Sequence, residues 1–563
     1  MKRIIGILLS SCCLFSSCFE LDLNPLSQGS SENWYSNETE IDMALKNGYN
    51  PAFWYHDSEE WTDDYTYRDS SSPIINGTLN GQNGSVTGLW ANMYKAIARA
   101  NTVLSNLQRA EGSGITPEKL AQFRAEACFL RASMYSQLVS HFGDVVYVTE
   151  VIDIDEAFKI GRSKLSEILP KIYEDFDTAI EGLPEKHPFF SAQRATKGAA
   201  LAMKARLALH LGDWQVVADA AGQCIELGLY QLHPSFEELF FPATKNSKES
   251  IFVLPRSLEE NVVLWGHYIL SRNVGGWAGD TPSWDLLASF LCSDGLPIDE
   301  SPLFDSHDPF KNRDPRCSMT IVPFKSNHLG FEYNPHPEAL EVMNYNTGKM
   351  QKNQDTRANA QYASFNGLLW KKGINASWLQ NGFKVDPDNI IIRYADVLLM
   401  YAEAMIELNK IDQSVLDAIN AVRARAYGVD KSATTSYPAV TETNQAKLRK
   451  IVRMERRMEF ANEGLRYMDL VRWKLASVSL SRNTYGMLYP SSLLIEKVTS
   501  KGGWFWPSTP EIDENGLPDF TKLEQEGLIN VLSKRTWNNR QYLWPIPTKE
   551  ILINKNLTQN PGY

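Results

Sequence analysis

The chain has 563 residues, 43% apolar, 22% charged and 11% aromatic; this is the profile of a large globular protein with a sizeable core and excludes a disordered or fibrous chain. Its formal charge of -11 falls to -13 when the two positive charges of Lys2 and Arg3 leave with a leader, because all 67 acidic residues lie downstream. That balance excludes nonspecific nucleic-acid binding, and no later run reaches the roughly 18 apolar residues of a membrane span.

Lys2 and Arg3 precede an apolar stretch from Ile4 to Phe15, then Ser16, Ser17 and Cys18. Residues 1–17 therefore read as an export signal, too short for a comfortable transmembrane helix. Small residues before Cys18 suit a lipoprotein signal peptidase and make Cys18 the acylated anchor. Cys12 and Cys13 sit inside the hydrophobic stretch and leave too little of it for membrane engagement. Among Cys128, Cys224, Cys292 and Cys317, spacing permits two bridges without showing them; Cys128 and Cys224 fall in apolar-periodic segments and read as buried free thiols.

An aromatic segment comes next. Trp54, Trp61, Tyr65 and Tyr67 are interleaved with Asp57, Asp63, Asp64 and Arg68, without sustained helical period. Sugars offer apolar C–H faces and dense hydroxyls, so exposed rings flanked by carboxylates, amides or guanidiniums are what a glycan site needs. Trp54, Trp61, Asp64 and Tyr65 are the ligand candidates of this cluster.

Trp90, Tyr94, Ile97, Asn101 and Leu104 predict a helix. Leu120, Phe123, Ala127, Leu130, Met134 and Leu138 predict a second, with Thr116-Pro117-Glu118 as its cap and first turn. Further stripes run over Leu165–Ala179, Ala199–Leu211 and Trp214–Ile225, and Gly212-Asp213 is too short a turn for anything except adjacent antiparallel helices. Apolar stripes return over Tyr394–Leu408 and Ala418–Tyr427, then in one charged helix from Ile451 to Trp473. This places a paired helical scaffold at about 85–227 and 389–474. Residues 228–388 and 475–540, rich in Gly, Pro, Asn and aromatics, read as long ordered excursions on which binding surfaces arise, and 541–563 as a terminal strap.

The excursions carry two more clusters. Trp277, Asp280 and Trp284 follow Gly275-Gly276, and Asn366, Trp370 and Trp378 lie among Tyr362, Lys371, Lys372 and Asn375; the six named first are ligand candidates. There is no G-x-G-x-x-G, phosphate loop, H-E-x-x-H, Cys-pair zinc pattern, G-x-S-x-G elbow or EF-hand, and the nine histidines are scattered. Asp63 and Asp64 are consecutive and need not face each other across a cleft as glycoside hydrolysis demands. The chain reads as noncatalytic and without cofactor; a structural calcium ion clamping a loop is left open, with no ligand set assigned.

Four stretches resemble the SusD/RagB family of outer-membrane nutrient-binding lipoproteins: Cys18–Pro25; Asn389–Ala404, which is similar to the family's most characteristic helix; Ile451–Phe460 continuing to Gly464, Arg466, Asp469 and Trp473; and Leu543–Pro547 with Glu550 and Gln559–Tyr563. Asp294-Gly295 and Arg313–Arg316 resemble a further pattern of that family. The resemblance implies a mostly α protein in which four tetratricopeptide-like helix pairs support a loop-rich irregular ligand-binding subdomain, all within one domain over 18–563. It implies a lipoprotein at the outer membrane, facing outward, that captures an oligosaccharide or polysaccharide and delivers it to a TonB-dependent SusC-like transporter; some relatives take peptides instead. Arg393, Tyr394, Asp396, Glu403, Arg453, Glu455, Arg456, Arg457, Glu459, Arg466, Asp469, Arg472 and Trp473 are expected as interhelical scaffold, with guanidinium forks holding carboxylates. Trp544, Pro545 and Pro547 are expected to lay the strap over a helix groove, with Thr548 capping a last short helix.

Overall fold

The computed structural model describes residues 34–563 apart from 69–70, 112–113 and 189–190; the expected leader and the expected anchor residue Cys18 lie outside the described residues. The protein is mostly helical. Its principal helices are α1 (Glu38–Lys46), α2 (Gly84–Asn106), α3 (Pro117–Phe142), α4 (Leu165–Gly182), α5 (Lys197–Leu211), α6 (Trp214–Glu226), α7 (Tyr394–Glu407), α8 (Gln413–Ala426), α9 (Gln445–Phe460) and α10 (Arg466–Arg472). From α2 to α8 each packs on the next. Local chemistry sets the ends: the Thr116 side chain accepts from the Lys119 amide, Pro117 fills the first turn where no amide is needed, and Gly212 closes α5 at φ 75°.

Residues Ala125–Ser136 of α3 are buried on every face, more than its apolar stripe predicts, because α1, α2, α4 and α5 all pack on this helix. The buried polar groups in that run are matched. Arg131 grips Asp175 of α4 through Nε and Nη2 at 2.8 and 2.7 Å, and Arg194 grips Glu126 at 2.8 Å through two nitrogens. The four described cysteines, Cys128, Cys224, Cys292 and Cys317, are free and buried, and burial pushes the Cys128 and Cys224 thiols up to about 12.

The excursions are built from short antiparallel pairs. β1 (Tyr65–Tyr67) pairs with β4 (Asp280–Pro282), β2 (Ser250–Leu254) with β6 (Asn389–Arg393), and β3 (Leu264–Trp265) with β5 (Lys384–Val385). Asn389–Arg393 is thus strand rather than the start of a helix, which begins at Tyr394. Residues of 264–388 and 485–529 share one apolar core around Trp284, Trp370, Trp506 and Phe520, which reaches α9 through Met458. The strap carries buried Trp544, Pro545 and Pro547; the Trp544 amide donates to His141 O at 2.7 Å and its indole to Tyr467 Oη at 2.9 Å. Thr548 does not cap the last helix. It is the helix's first residue, and its amide donates to Gly81 O at 2.9 Å.

The single charged helix expected over 451–473 is broken. Asn462 (φ 61°) and Gly464 (φ 74°) turn the chain between α9 and α10, and a side chain at Gly464 would meet Asp57 O at 2.6 Å. The break presents Glu463 to Arg393 and Lys372 and the Gly464 amide to Glu59 Oε1 at 2.8 Å. Desolvation, with the Asp64 charge adding to it, pushes Glu59 up from 4.5 to about 7. The folded chain therefore keeps a proton that the unfolded chain releases as pH rises from 4.5 to 7, so this group's contribution to stability falls across that window. Glu59→Gln keeps the acceptor and cannot ionise. Its urea midpoint should gain on the parent between pH 5 and pH 8; an equal difference at both pH values would refute the assignment.

Candidate ligand-binding site

The buried charges are geometric before they are functional. Arg393 bridges Glu249, Glu459 and Glu463, each at 2.7 Å; Arg316 joins Asp314, Glu455 and Glu459; Arg425 reaches Glu249 and Glu459; Arg423 holds Glu455. Arg456 links Asp396 to Asp469, and Arg472 links Asp469 to Glu403, which also accepts from the Trp473 indole at 2.7 Å. Asp396 is desolvated, yet Arg206 and Arg456 hold its carboxyl well below the usual range. Tyr394 is half-buried, its ring 6.3 Å from that of Tyr230. Arg453 departs from the expected pattern: among the described residues its side chain makes no ion pair or hydrogen bond, and its guanidinium lies 5.0 Å from the Trp473 ring centre, at a cavity of about 750 Å³ between α9 and the loops around Asp294 and Gly516.

Most of the ligand candidates point inward. The Trp54 indole donates to Gly48 O at 3.0 Å, that of Trp284 to Asn366 O at 2.8 Å and that of Trp378 to Gly373 O at 2.8 Å. Trp61 packs edge-on against Tyr467 and Trp544, and Trp370 is sealed in the excursion core. Asn366 is fully buried and donates to Pro282 O at 2.7 Å. Asp64 is gripped by Arg457 at 2.6 Å, and Asp63 by Arg466 at 2.8 Å. These seven candidates, Trp54, Trp61, Asp64, Trp284, Asn366, Trp370 and Trp378, are all buried inside the fold, where they offer a ligand no surface. Tyr65 and Asp280 are half-buried on the paired strands β1 and β4; burial, then the Asp280 carboxylate, raise the Tyr65 phenol far above its ordinary value.

Trp277 stands out of the surface, 40% exposed, and it has neighbours that sequence reasoning missed. Trp265 at the end of β3 is 64% exposed and Tyr268 42%. Ring centres run from Trp265 to His267 at 5.5 Å, His267 to Trp277 at 5.6 Å, Trp277 to Tyr268 at 4.6 Å and Tyr268 to Tyr67 at 6.4 Å. Tyr362 extends this ledge: Arg68 donates to Trp277 O at 2.8 Å and Tyr362 O at 3.1 Å while its guanidinium lies 5.2 Å from the Tyr362 ring centre.

The loop 266–279 makes the ledge by folding its backbone inward. Trp277 N donates to His267 O, Ala278 N to Leu270 O and Gly279 N to Tyr268 O at 2.6, 3.0 and 2.7 Å, which spends the polar groups on each other and leaves the rings outside. Only glycine fits at 266, where a Cβ would lie 2.6 Å from the Trp378 ring. A second aromatic segment with a glycine in it, Trp265-Gly266-His267-Tyr268, nine residues before Gly275-Gly276, was the signal available for Trp265, His267 and Tyr268. Among the described residues no group of three or more His, Cys, Asp or Glu side chains is placed to hold a metal ion.

A model described as the SusD family matches residues 248–563. The chain belongs to the SusD family. A second model, described as starch-binding associating with outer membrane, matches residues 23–209 of this SusD-family chain, and no described helix is long and apolar enough to cross a membrane. SusD-like protein P2 of Formosa agariphila is 25% identical over 97% of both chains. A SusD-like carbohydrate binding protein from Bacteroides fragilis is 31% identical with a TM-score of 0.74, over 93% of this chain and 99% of that one. Surface glycan-binding protein A from Bacteroides fluxus shares the fold at 20% identity and a TM-score of 0.61, over 94% and 100%.

The two classes of tryptophan in this SusD-family chain are separable by stability. Trp284→Ala or Trp61→Ala should cost about 3 to 5 kcal/mol, as large aromatic deletions in cores do, whereas Trp265→Ala and Trp277→Ala should stay within about 1 kcal/mol of the parent. Chemical denaturation of the four variants checks this.

Proposed function

We propose that this chain is a noncatalytic glycan-binding lipoprotein that captures oligosaccharide or polysaccharide at the cell surface and passes it to a TonB-dependent SusC-like transporter. The observation that carries this reading is the exposed ledge of Trp265, Trp277 and Tyr268, joined by ring contacts directly or through His267, with Tyr362 held to it through Arg68 and Asp280 alongside. Such rings meet the apolar faces of sugars while neighbouring polar groups take hydroxyls. The carbohydrate-binding description of the Bacteroides fragilis relative supports the same cargo, and the adjacent carboxylates Asp63 and Asp64 are occupied by arginines rather than paired across a cleft. Acylation of Cys18 would keep the binding protein beside its transporter and raise local ligand concentration.

A peptide cargo is the second reading. It is favoured by a groove of about 970 Å³ along α6, α7 and α8, lined by Tyr230, Tyr394, Tyr401 and Met405 among polar residues. Affinity electrophoresis of a soluble chain beginning at residue 19, run in laminarin and starch gels and against peptide pools, separates the two. Retention by polysaccharide is expected, with Trp265→Ala and Trp277→Ala each weakening it roughly 2- to 12-fold, the equivalent of about 0.5 to 1.5 kcal/mol per ring. Free migration in every polysaccharide with peptide binding instead would reject the glycan reading. In the full chain, Cys18→Ala should abolish incorporation of labelled fatty acid and release the protein from membranes; an unchanged membrane fraction would remove Cys18 as the anchor.

A further inference from the structure

Arg357 is set apart from the arginines buried in the scaffold. Its guanidinium carbon lies 4.0 Å from the Phe365 ring centre and 3.8 Å from that of Tyr489, so two rings crowd the cation. Among the described residues no carboxylate pairs with it and its guanidinium forms no hydrogen bond, and its Nε is buried without an acceptor. Desolvation, partly offset by the Tyr489 hydroxyl, lowers the group to about 10, which leaves it charged at neutral pH. Arg393, Arg316, Arg456 and Arg466, by contrast, each hold one or more carboxylates. A guanidinium crowded by aromatic rings offers its donors to acceptors at its edge, in the plane where a two-oxygen anion fits.

The loop that carries Arg357 is fastened to the aromatic ledge on both sides of it. Before it, Asp355 accepts from the Arg272 amide at 2.6 Å and from Asn273 Nδ2 at 2.7 Å; after it, Tyr362 O accepts from Arg68 and the Tyr362 ring joins the ledge. Arg357 is half-buried, while Tyr489 beside it and Tyr362 on the same loop are exposed, 43% and 52%, so the residue lies at the margin of the surface rather than in the core. The whole-chain charge of -11 sets the long-range field and does not cancel an unpaired cation at contact distance.

We propose that Arg357 is an anion subsite of the glycan-binding face, taking an oxyanion borne by a sugar, a uronate carboxylate or a sulfate ester, while the ledge takes neighbouring sugar faces. This rests on the glycan reading of the ledge. The test is affinity electrophoresis of the soluble chain in matched gels: polygalacturonate against its methyl ester, κ-carrageenan against its desulfated form, and laminarin as a neutral reference. The parent should bind at least one anionic polymer about tenfold more tightly than its neutral counterpart, with the margin shrinking as salt rises. Arg357→Gln should remove that margin, and its loss in the anionic gel should exceed any change in laminarin about tenfold. Arg357→Lys, which keeps the charge without the planar fork, should retain part of it. The pair of gels that responds identifies carboxylate or sulfate as the source. Equal binding of charged and neutral forms, an Arg357→Gln loss as large in laminarin as in the anionic gels, or retention by polyglutamate in place of either polysaccharide would each overturn the subsite. If Trp277→Ala weakens laminarin binding while Arg357→Gln changes nothing, the subsite alone falls; if no polysaccharide binds, both readings fall.

Discussion

The carboxylates of Glu455 and Glu459, buried on α9, are the constraint on which the remainder depends. Glu459 is desolvated, and Arg425, Arg393 and Arg316 together hold its carboxyl well below the usual range. Those three arginines come from α8, from the end of β6 and from the short helix after Asp314, so one side chain fixes two parts of the spine against an excursion. Replacing such a set by apolar residues of equal volume is often neutral or stabilising, while removing one partner from a buried pair costs about 3 to 5 kcal/mol. The network therefore contributes geometry more than net stability. An apolar contact can slide by an ångström, but a guanidinium fork shared among three carboxylates cannot without leaving a charge buried and unmatched.

The same reasoning runs outward. Arg457 and Arg466 on α9 and α10 grip Asp63 and Asp64, which directly precede β1; β1 pairs with β4, and the loop leading into β4 carries Trp277. A chain of short, directional contacts thus leads from the charged helix to an exposed ring, and acidic residues that looked available for ligand are what orient the surface that meets it.

The helical part of this arrangement was legible because its information is local. Apolar residues at three- and four-residue spacing, Thr116-Pro117 at a start and Gly212 at an end act within a few positions of themselves. The break at Asn462–Gly464 was not legible, since charges at helical spacing continue through it on both sides and the group that leaves no room for a side chain at Gly464 is a carbonyl of the distant Asp57. Strand Asn389–Arg393 was hidden for a similar reason: five residues ahead of a strongly apolar helix read as its first turn until Ser250–Leu254 supplies the partner. The ligand candidates were the least legible. Trp61, Trp277 and Trp284 all sit in aperiodic, polar-rich sequence; they differ only in whether a remote group, Tyr467 and Trp544 for the first and Asn366 O for the third, completes their burial.

That distinction also explains why the exposed rings cluster where they do. Holding large apolar side chains in water gains nothing for the fold, so a set that stays outside must be supported from below. Here the support is backbone: amide-to-carbonyl bonds inside the loop 266–279, a Gly266 too close to Trp378 for any side chain, and Arg68 clamping two carbonyls from separate segments. Weak contacts of about 0.5 to 1.5 kcal/mol per ring add up to useful affinity only if the rings are already aligned, because each side chain ordered on binding costs a comparable amount. A rigid spine, a charge network that tolerates no sliding and a loop closed on its own amides are therefore parts of one requirement: alignment fixed before the ligand arrives.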